Sequence, residues 1–155
     1  MSDGNMTQSS EIDHAAADAA IQVFKFERPE NYSGRKAIVK LYSSERSAGA
    51  VHVLAEGGEN NLHYHANVDI LWMVLSGRAR FYGPGDVIRG EFGPKEGLLI
   101  PAGAKYWFES CSDEHLELLQ IKTYTKGRGN DKRIDAESRD RVKGHSSQFN
   151  AAVTA

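Results

Sequence analysis

The sequence predicts a single all-β domain, built as a sandwich or a closed barrel of short strands. Between residues 37 and 123, β-branched, aromatic and other apolar residues recur in short segments, and turns rich in glycine or proline separate these segments. Many short strands at regular spacing are typical of sandwiches and barrels. The length of 155 residues suits one domain with a real hydrophobic core.

The predicted strands follow one another with a turn signal after each. In chain order they cover residues 37–42, 50–55, 70–75, 78–82, 97–101, 106–110 and 116–121. Residues 70–75 are almost continuously apolar, as in a strand that is buried on both faces. Residues 78–82 alternate between polar and apolar, as in a strand with one solvent-exposed face. The glycine and proline of residues 83–86 form a strong turn signal.

Both ends of the chain lack the apolar residues that a core requires. Residues 1–20 are polar and rich in alanine, which predicts a flexible segment or a short helix through residues 15–20. Residues 126–155 are polar and charged, which favours a disordered tail over an ordered lid, with a short helix around residues 135–142 as its one candidate element. The predicted organisation is therefore a flexible segment (1–20), a barrel (21–125) and a polar tail (126–155).

The composition excludes several classes of partner. The formal net charge is -2, so there is no electrostatic case for nucleic acid or an anionic membrane as a partner. No apolar run approaches the roughly 18 residues of a membrane span, and the first residues lack the features of a signal peptide. The one cysteine, Cys111, excludes an internal disulfide and fits a reducing compartment. We therefore expect a cytoplasmic protein.

A pair of histidines, His63 and His65, marks the candidate site. Residues i and i+2 of a strand point to the same face, so the two rings can point at one centre. Asp69 follows four residues after His65. Two imidazoles and a carboxylate are ligands that suit a borderline divalent metal, and they are also the groups that an acid/base site uses. The residues alone leave both interpretations open.

The residues around this pair resemble the two sequence motifs of the cupin superfamily. The first motif has a glycine, a histidine-x-histidine pair, a glutamate and a second glycine, and the second motif has a proline-x-glycine turn before a histidine. The matching residues are Gly57 or Gly58, His63, His65 and Gly77 in the first motif, and Pro101 and Gly103 in the second. The resemblance covers residues 37–123. It implies a double-stranded β-helix, also called a jelly-roll barrel, that forms a homodimer and acts on a small polar molecule.

Two departures from the motifs decide what the site can hold. Counting forward from the histidine pair places the glutamate position at Asp69, whereas counting back from the next glycine places it at Ile70. The histidine of the second motif falls on Tyr106. An inward Asp69 would complete a triad with His63 and His65 for Fe, Mn, Ni or Zn, without an organic cofactor. An inward Ile70 would leave a poorer metal site and a better acid/base site.

The leading hypothesis is a metal-dependent enzyme with dioxygenase, isomerase or lyase chemistry, in which His65 and Tyr106 are catalytic and Tyr106 donates or orients a proton. The strand pattern directs His52 and Trp72 into the barrel as candidate pocket residues. We interpret His52 as a histidine at the barrel rim with its hydrogen bonds satisfied, rather than as a metal ligand. We interpret Trp72 as core packing or as a pocket wall. One alternative is a metal-free sugar isomerase or epimerase that uses His63 and His65 as acid and base. A second alternative is a non-catalytic binding or sensor domain.

Overall fold

The computed structural model describes residues 11–32, 34–136 and 146–151, and strands dominate them. The strands are β1 (Lys36–Ser43), β2 (Ser47–Leu54), β3 (Gly58–His65), β4 (Val68–Ser76), β5 (Ala79–Tyr82), β6 (Ile88–Phe92), β7 (Gly97–Ile100), β8 (Tyr106–Ser110), β9 (Leu116–Tyr124), β10 (Arg133–Asp135) and β11 (Ser146–Asn150). One short α-helix, α1 (His14–Ala19), and two 3₁₀ turns, Pro84–Asp86 and Arg128–Asn130, accompany them. Within these ranges, no helix has the length and apolar character needed to cross a membrane.

The strands form two sheets, and the chain passes repeatedly from one sheet to the other. The six-stranded sheet has the order β11-β1-β2-β9-β4-β7, and the five-stranded sheet has the order β10-β3-β8-β5-β6. Neighbouring strands are antiparallel, except that β11 runs parallel to β1. Each of the seven predicted strands corresponds to an observed one. The predicted all-β jelly-roll fold is therefore confirmed.

Strand β4 shows how side-chain alternation builds the core. Ile70 and Trp72 are almost fully buried, whereas Leu71, between them, points outward and is partly exposed. The Trp72 ring packs against Phe108 from the other sheet, with their ring centroids 5.2 Å apart. Burying each such side chain contributes about 1.5–3 kcal/mol, so this parity is strongly specified. The same parity turns Asp69 to the outside of the barrel.

The described N-terminal residues contact the six-stranded sheet, where Gln22 exchanges hydrogen bonds with the backbone of Ser43 in β1. Helix α1 is exposed along its whole length, and the Asp13 carboxylate caps it by accepting a hydrogen bond from Ala16 N. Of the two predictions for residues 1–20, the short helix is the one observed, and residues 1–10 lie outside the described residues. Further along, Phe26 and Tyr32 pack on the small apolar cluster on the outer face of this sheet.

The prediction of a polar tail for residues 126–155 is wrong for the described residues in that range. Strand β10 pairs with β3, with Arg133 opposite His65 and Asp135 opposite His63, and β11 pairs with β1. A strand that adds to a sheet edge gains backbone hydrogen bonds and needs few apolar side chains of its own, so composition does not reveal it. Asp135 lies in β10 rather than in a helix, and the rest of the helix predicted around 135–142 lies outside the described residues.

Candidate functional site

Strand β3 directs both histidines of the pair into the barrel. His63 is fully buried and 8% of His65 is exposed, with their ring centroids 5.5 Å apart and the rings close to perpendicular. His63 Nδ1 donates a hydrogen bond to the carbonyl oxygen of Asn61 over 2.8 Å. Because Nδ1 carries the proton in that contact, Nε2 holds the lone pair of the neutral ring.

His65 is the first member of a chain of three polar side chains. Its Nδ1 lies 3.0 Å from Asp131 Oδ1, and Lys122 Nζ donates to the other oxygen, Oδ2, over 2.9 Å. Asp131 directly follows the 3₁₀ turn Arg128–Asn130 and lies two residues before β10. Sequence reasoning missed Asp131, because it lies 66 residues after His65 in a segment whose composition predicts a tail.

The surroundings shift the pKa values of His65 and Asp131 downward. Burial lowers the pKa of the His65 imidazole, and the charges of Lys122 and Arg133 act in the same direction, whereas Asp131 partly opposes them. Burial alone would raise the pKa of Asp131, but the hydrogen bonds from His65 and Lys122 hold it below its usual value. A neutral imidazole therefore donates from Nδ1 to an ionised carboxylate at neutral pH. Its Nε2 lone pair can accept a proton, as in a general base.

A cavity of about 820 Å³ opens beside this chain of side chains. Its walls come from β1, β2, β3, β9, β10 and β11 and from the 3₁₀ turn Arg128–Asn130. His65, Lys122 and Asp131 line it, together with His52, whose Nε2 donates to Gln120 Oε1 over 3.1 Å. The volume is in the range of small-molecule sites. His52 lies at this cavity with its ring hydrogen-bonded, and its role as a pocket residue stays a prediction.

The predicted metal ligand Asp69 lies outside the barrel. Its Oδ1 accepts a hydrogen bond of 2.8 Å from Ala102 N, in the loop that follows β7, whereas Ile70 points inward. Of the two orientations that the sequence left open, the inward Ile70 is the one observed, so the assignment of Asp69 as a metal ligand is corrected. A shift of one residue in the register of β4 would bring Asp69 inward only by moving Ile70 and Trp72 out of the core. The free energy lost from their burial would far exceed what one metal ligand could contribute.

Tyr106 and Trp72 lie in the hydrophobic core and not in the wall of the cavity. Both side chains are buried in the core and neither lines the 820 Å³ cavity. Trp72 Nε1 donates to the Tyr106 hydroxyl over 3.3 Å, and the Tyr106 ring packs on His63 with their centroids 4.4 Å apart. Of the two interpretations of Trp72, the structure therefore favours core packing over a pocket wall. Tyr106 contacts His63 and not this cavity, and its catalytic role stays a prediction.

The described residues fit a divalent metal only in part. The Nδ1 atoms of His63 and His65 are held by oxygen acceptors, an arrangement that commonly orients histidine ligands. A third protein ligand is needed for the usual catalytic sites, and Asp69 points away. Among the described side chains, no group of three histidine, cysteine, aspartate or glutamate residues is arranged to hold a metal ion.

Comparisons with known proteins identify the fold. No protein-family model and no curated protein sequence matches the chain. Among solved structures it is similar to an uncharacterised protein with a double-stranded β-helix domain from Klebsiella pneumoniae, at 16% identity over 84% of this chain and 100% of that one, with a TM-score of 0.56. An RmlC-like cupin from Methanocaldococcus jannaschii is 18% identical over 68% of this chain and 92% of its own, also with a TM-score of 0.56.

Proteins of known activity share this fold too. An oxalate decarboxylase is 20% identical over 72% of this chain and 30% of its own, with a TM-score of 0.51. Similar structures thus include enzymes as well as uncharacterised proteins, and a fold by itself does not determine a function. Together with the two-sheet topology, these matches show that the chain has a double-stranded β-helix fold, as the proteins from Klebsiella pneumoniae and Methanocaldococcus jannaschii do.

Proposed function

We propose that the protein is an isomerase or epimerase that moves a proton on a small polar molecule, such as a sugar, with His65 as the general base. The observation that carries this proposal is the contact of 3.0 Å between His65 Nδ1 and Asp131 Oδ1 at the wall of the cavity. It keeps the proton on Nδ1 and leaves the lone pair on Nε2. The lowered pKa of His65 keeps this base unprotonated at neutral pH.

The proposed reaction begins at a carbon atom next to a carbonyl group. His65 Nε2 takes the proton from that carbon, and the electron pair of the broken C–H bond moves towards the carbonyl oxygen to form an enediolate. Asp131 stabilises the imidazolium that results. Lys122 and Arg133, which also line the cavity, favour the negative charge that develops on the substrate. Return of the proton from His65 to the adjacent carbon completes isomerisation, while the proton of the C2 hydroxyl group passes to the oxygen of the former carbonyl group. Epimerisation requires the enediolate to turn over, so that the proton returns to the opposite face of the same carbon.

His63 has a different role in this proposal from the one that the sequence suggested. It is fully buried, hydrogen-bonded to a backbone carbonyl and packed on Tyr106, and it does not line the cavity. A buried ring fixed in this way supports the position of β3. His65 would therefore act alone, as both the base and its conjugate acid.

A second candidate is the metal-dependent enzyme, and one observation favours it. The Nδ1 atoms of both His63 and His65 are anchored, so that each Nε2 holds a lone pair that a divalent ion could use. Fe, Mn, Ni or Zn bound there would supply Lewis-acid or oxygen-activating chemistry. The incomplete set of protein ligands makes this the weaker of the two proposals.

Proton exchange distinguishes the candidates. The protein is incubated in D₂O with a panel of neutral and acidic aldoses, and NMR follows deuterium entry at C2. We expect exchange that survives dialysis against a chelator and that falls at least about 100-fold in His65→Asn, the size typical of a lost general base. The matched control His14→Asn, on the exposed helix α1, should exchange like the wild type.

Each other outcome contradicts the leading proposal in a specific way. Exchange that stops on chelation and returns with added metal would favour the metal-dependent enzyme, and so would near-stoichiometric metal in freshly purified protein. Ligand binding without exchange for any of the aldoses would favour the sensor interpretation. Equal exchange by His65→Asn and His14→Asn would remove His65 from the reaction.

Homodimer formation also stays a proposal. Leu71 of β4 pairs with Leu99 of β7, and both side chains are exposed on the outer face of the six-stranded sheet, at 39% and 63%. Sedimentation equilibrium checks it, because a dimer should have twice the mass of 17.1 kDa calculated for one chain.

A further inference from the structure

The charges around the cavity are strongly unbalanced. Four basic side chains line it, which are Lys40 of β1, Lys122 of β9, Arg128 of the second 3₁₀ turn and Arg133 of β10. Asp131 is the one acidic side chain among the described residues of the lining. Because the whole chain carries a formal net charge of -2, this positive excess is local to the cavity and is not a property of the surface as a whole.

Two of the four cations are paired with carboxylates. Lys122 Nζ lies 2.9 Å from Asp131 Oδ2, and Arg133 Nε lies 3.2 Å from Asp135 Oδ1. The Asp131 carboxylate also accepts the hydrogen bond from His65, so its charge is already shared between two donors. These contacts hold the base in place and offset two of the positive charges.

The other two cations, Lys40 and Arg128, make no ion pair within the part of the chain that the structure describes. Lys40 lies opposite Ala50 of β2, whose small side chain leaves space above the sheet. Arg128 follows Gly127, which has φ +81° and so allows the backbone to turn beside the cavity. Uncompensated cations in a concave site attract anions, and the concave shape strengthens that attraction.

We propose that the substrate is a small anion, and that Lys40 and Arg128 bind its carboxylate or phosphate group. His65 then acts on the uncharged part of the same molecule, and Asn150, which also lines the cavity, can hydrogen-bond to its hydroxyl groups. The inference that His65 acts on the bound anion rests on the proposed function. The binding of the anion does not.

Three probes that differ only at one carbon test this inference. D-glucose, D-glucuronate and D-glucose 6-phosphate carry at C6 a neutral, a carboxylate and a phosphate group, and titration calorimetry measures the affinity of each. We expect one or both anions to bind at least about tenfold more tightly than glucose, which corresponds to about 1.4 kcal/mol. Whether glucuronate or glucose 6-phosphate binds better identifies the anionic group. Raising the ionic strength should weaken binding of the anions but not of glucose.

Matched variants locate the binding site. Lys40→Gln combined with Arg128→Gln should weaken the preferred anion at least about tenfold. Lys105→Gln combined with Arg89→Gln removes the same charge from exposed positions that do not line the cavity, and should leave the affinity unchanged. Circular dichroism checks folding, and the single variants Lys40→Gln and Arg128→Gln replace the double variant if it does not fold.

The outcomes separate this inference from the proposed function. Binding of the anion should persist in the inactive variant His65→Asn, so a protein that binds anions without exchanging protons contradicts only the proposed function. Exchange into neutral sugars without any preference for anions contradicts only the present inference. The inference is also overturned if neither anion binds more tightly than glucose, or if the two double variants weaken binding equally.

Discussion

The two histidines of β3 lie only two residues apart and on one face, yet they belong to two different regions of the barrel. His63 is fully buried and hydrogen-bonded to a backbone carbonyl, in a region of buried aromatic side chains that we call the floor: Tyr106, Trp72 and Phe108. His65 lies in the charged region that lines the cavity, which we call the mouth, and it is hydrogen-bonded there to the carboxylate of Asp131 from a distant part of the chain. Two residues on the same face of a strand can therefore have different surroundings, and those surroundings determine which chemistry each side chain can support.

The largest effect should come from the floor, and it should appear as lost stability. Trp72→Ala removes a fully buried indole from between the sheets, and we expect the free energy of unfolding to fall by about 3–5 kcal/mol. Ile21→Ala, at a position 72% exposed, is the control and should change it by less than about 0.5 kcal/mol. Urea denaturation measures both. Similar losses in the two variants would contradict the description of the floor as the stabilising region.

In the mouth, the largest effect should be on rate rather than stability. Asp131→Asn removes the carboxylate that orients His65 and stabilises its imidazolium, so kcat should fall about 100-fold or more. Since Asp131 raises the pKa of His65, its loss should also move the acid limb of the pH–rate profile to lower pH. Asp113→Asn, at an exposed position that does not line the cavity, is the matched control. An unmoved acid limb would show that Asp131 supports only the fold.

The pH dependence of stability gives a smaller effect that is again specific to the mouth. The pKa of His65 is lower in the folded protein than its ordinary value of 6.5, so the unfolded chain binds the extra proton first. Stability should therefore be complete above about pH 6.5 and should fall as the pH drops towards the folded pKa. Denaturation at pH 7.5 and 5.0 should show a smaller loss for His65→Asn than for the wild type. Equal losses would contradict the assigned shift.

The smallest effect should come from Asp69, outside both regions. Asp69→Ala removes one hydrogen bond to the backbone of the loop after β7, and we expect a loss of about 0.5–1.5 kcal/mol. Catalytic activity and any metal content should not change, because the carboxylate faces away from the cavity. Thermal denaturation and elemental analysis measure the two quantities. Loss of bound metal in this variant would restore the triad that the sequence suggested.

Much of the fold could be predicted from local pattern. Alternation and turn residues located seven strands, and the parity of β3 placed His63 and His65 on one inward face. The same reasoning left the orientation of Asp69 open, because counting from the two ends of the motif disagreed by one residue. Burial of Ile70 and Trp72 resolved that question, since the free energy of a whole apolar face outweighs that of a single carboxylate.

The sequence by itself determined the class of fold, the positions of the core strands and the face on which the histidine pair lies, because these depend on the order of apolar and polar residues along one strand. Only the tertiary structure decided which histidine reaches the cavity and what accompanies it. Asp131, Arg128 and Arg133 lie in a segment with no apolar pattern, and they reach His65 because β10 pairs with the open edge of β3. Backbone pairing at a sheet edge depends on geometry and leaves little trace in composition.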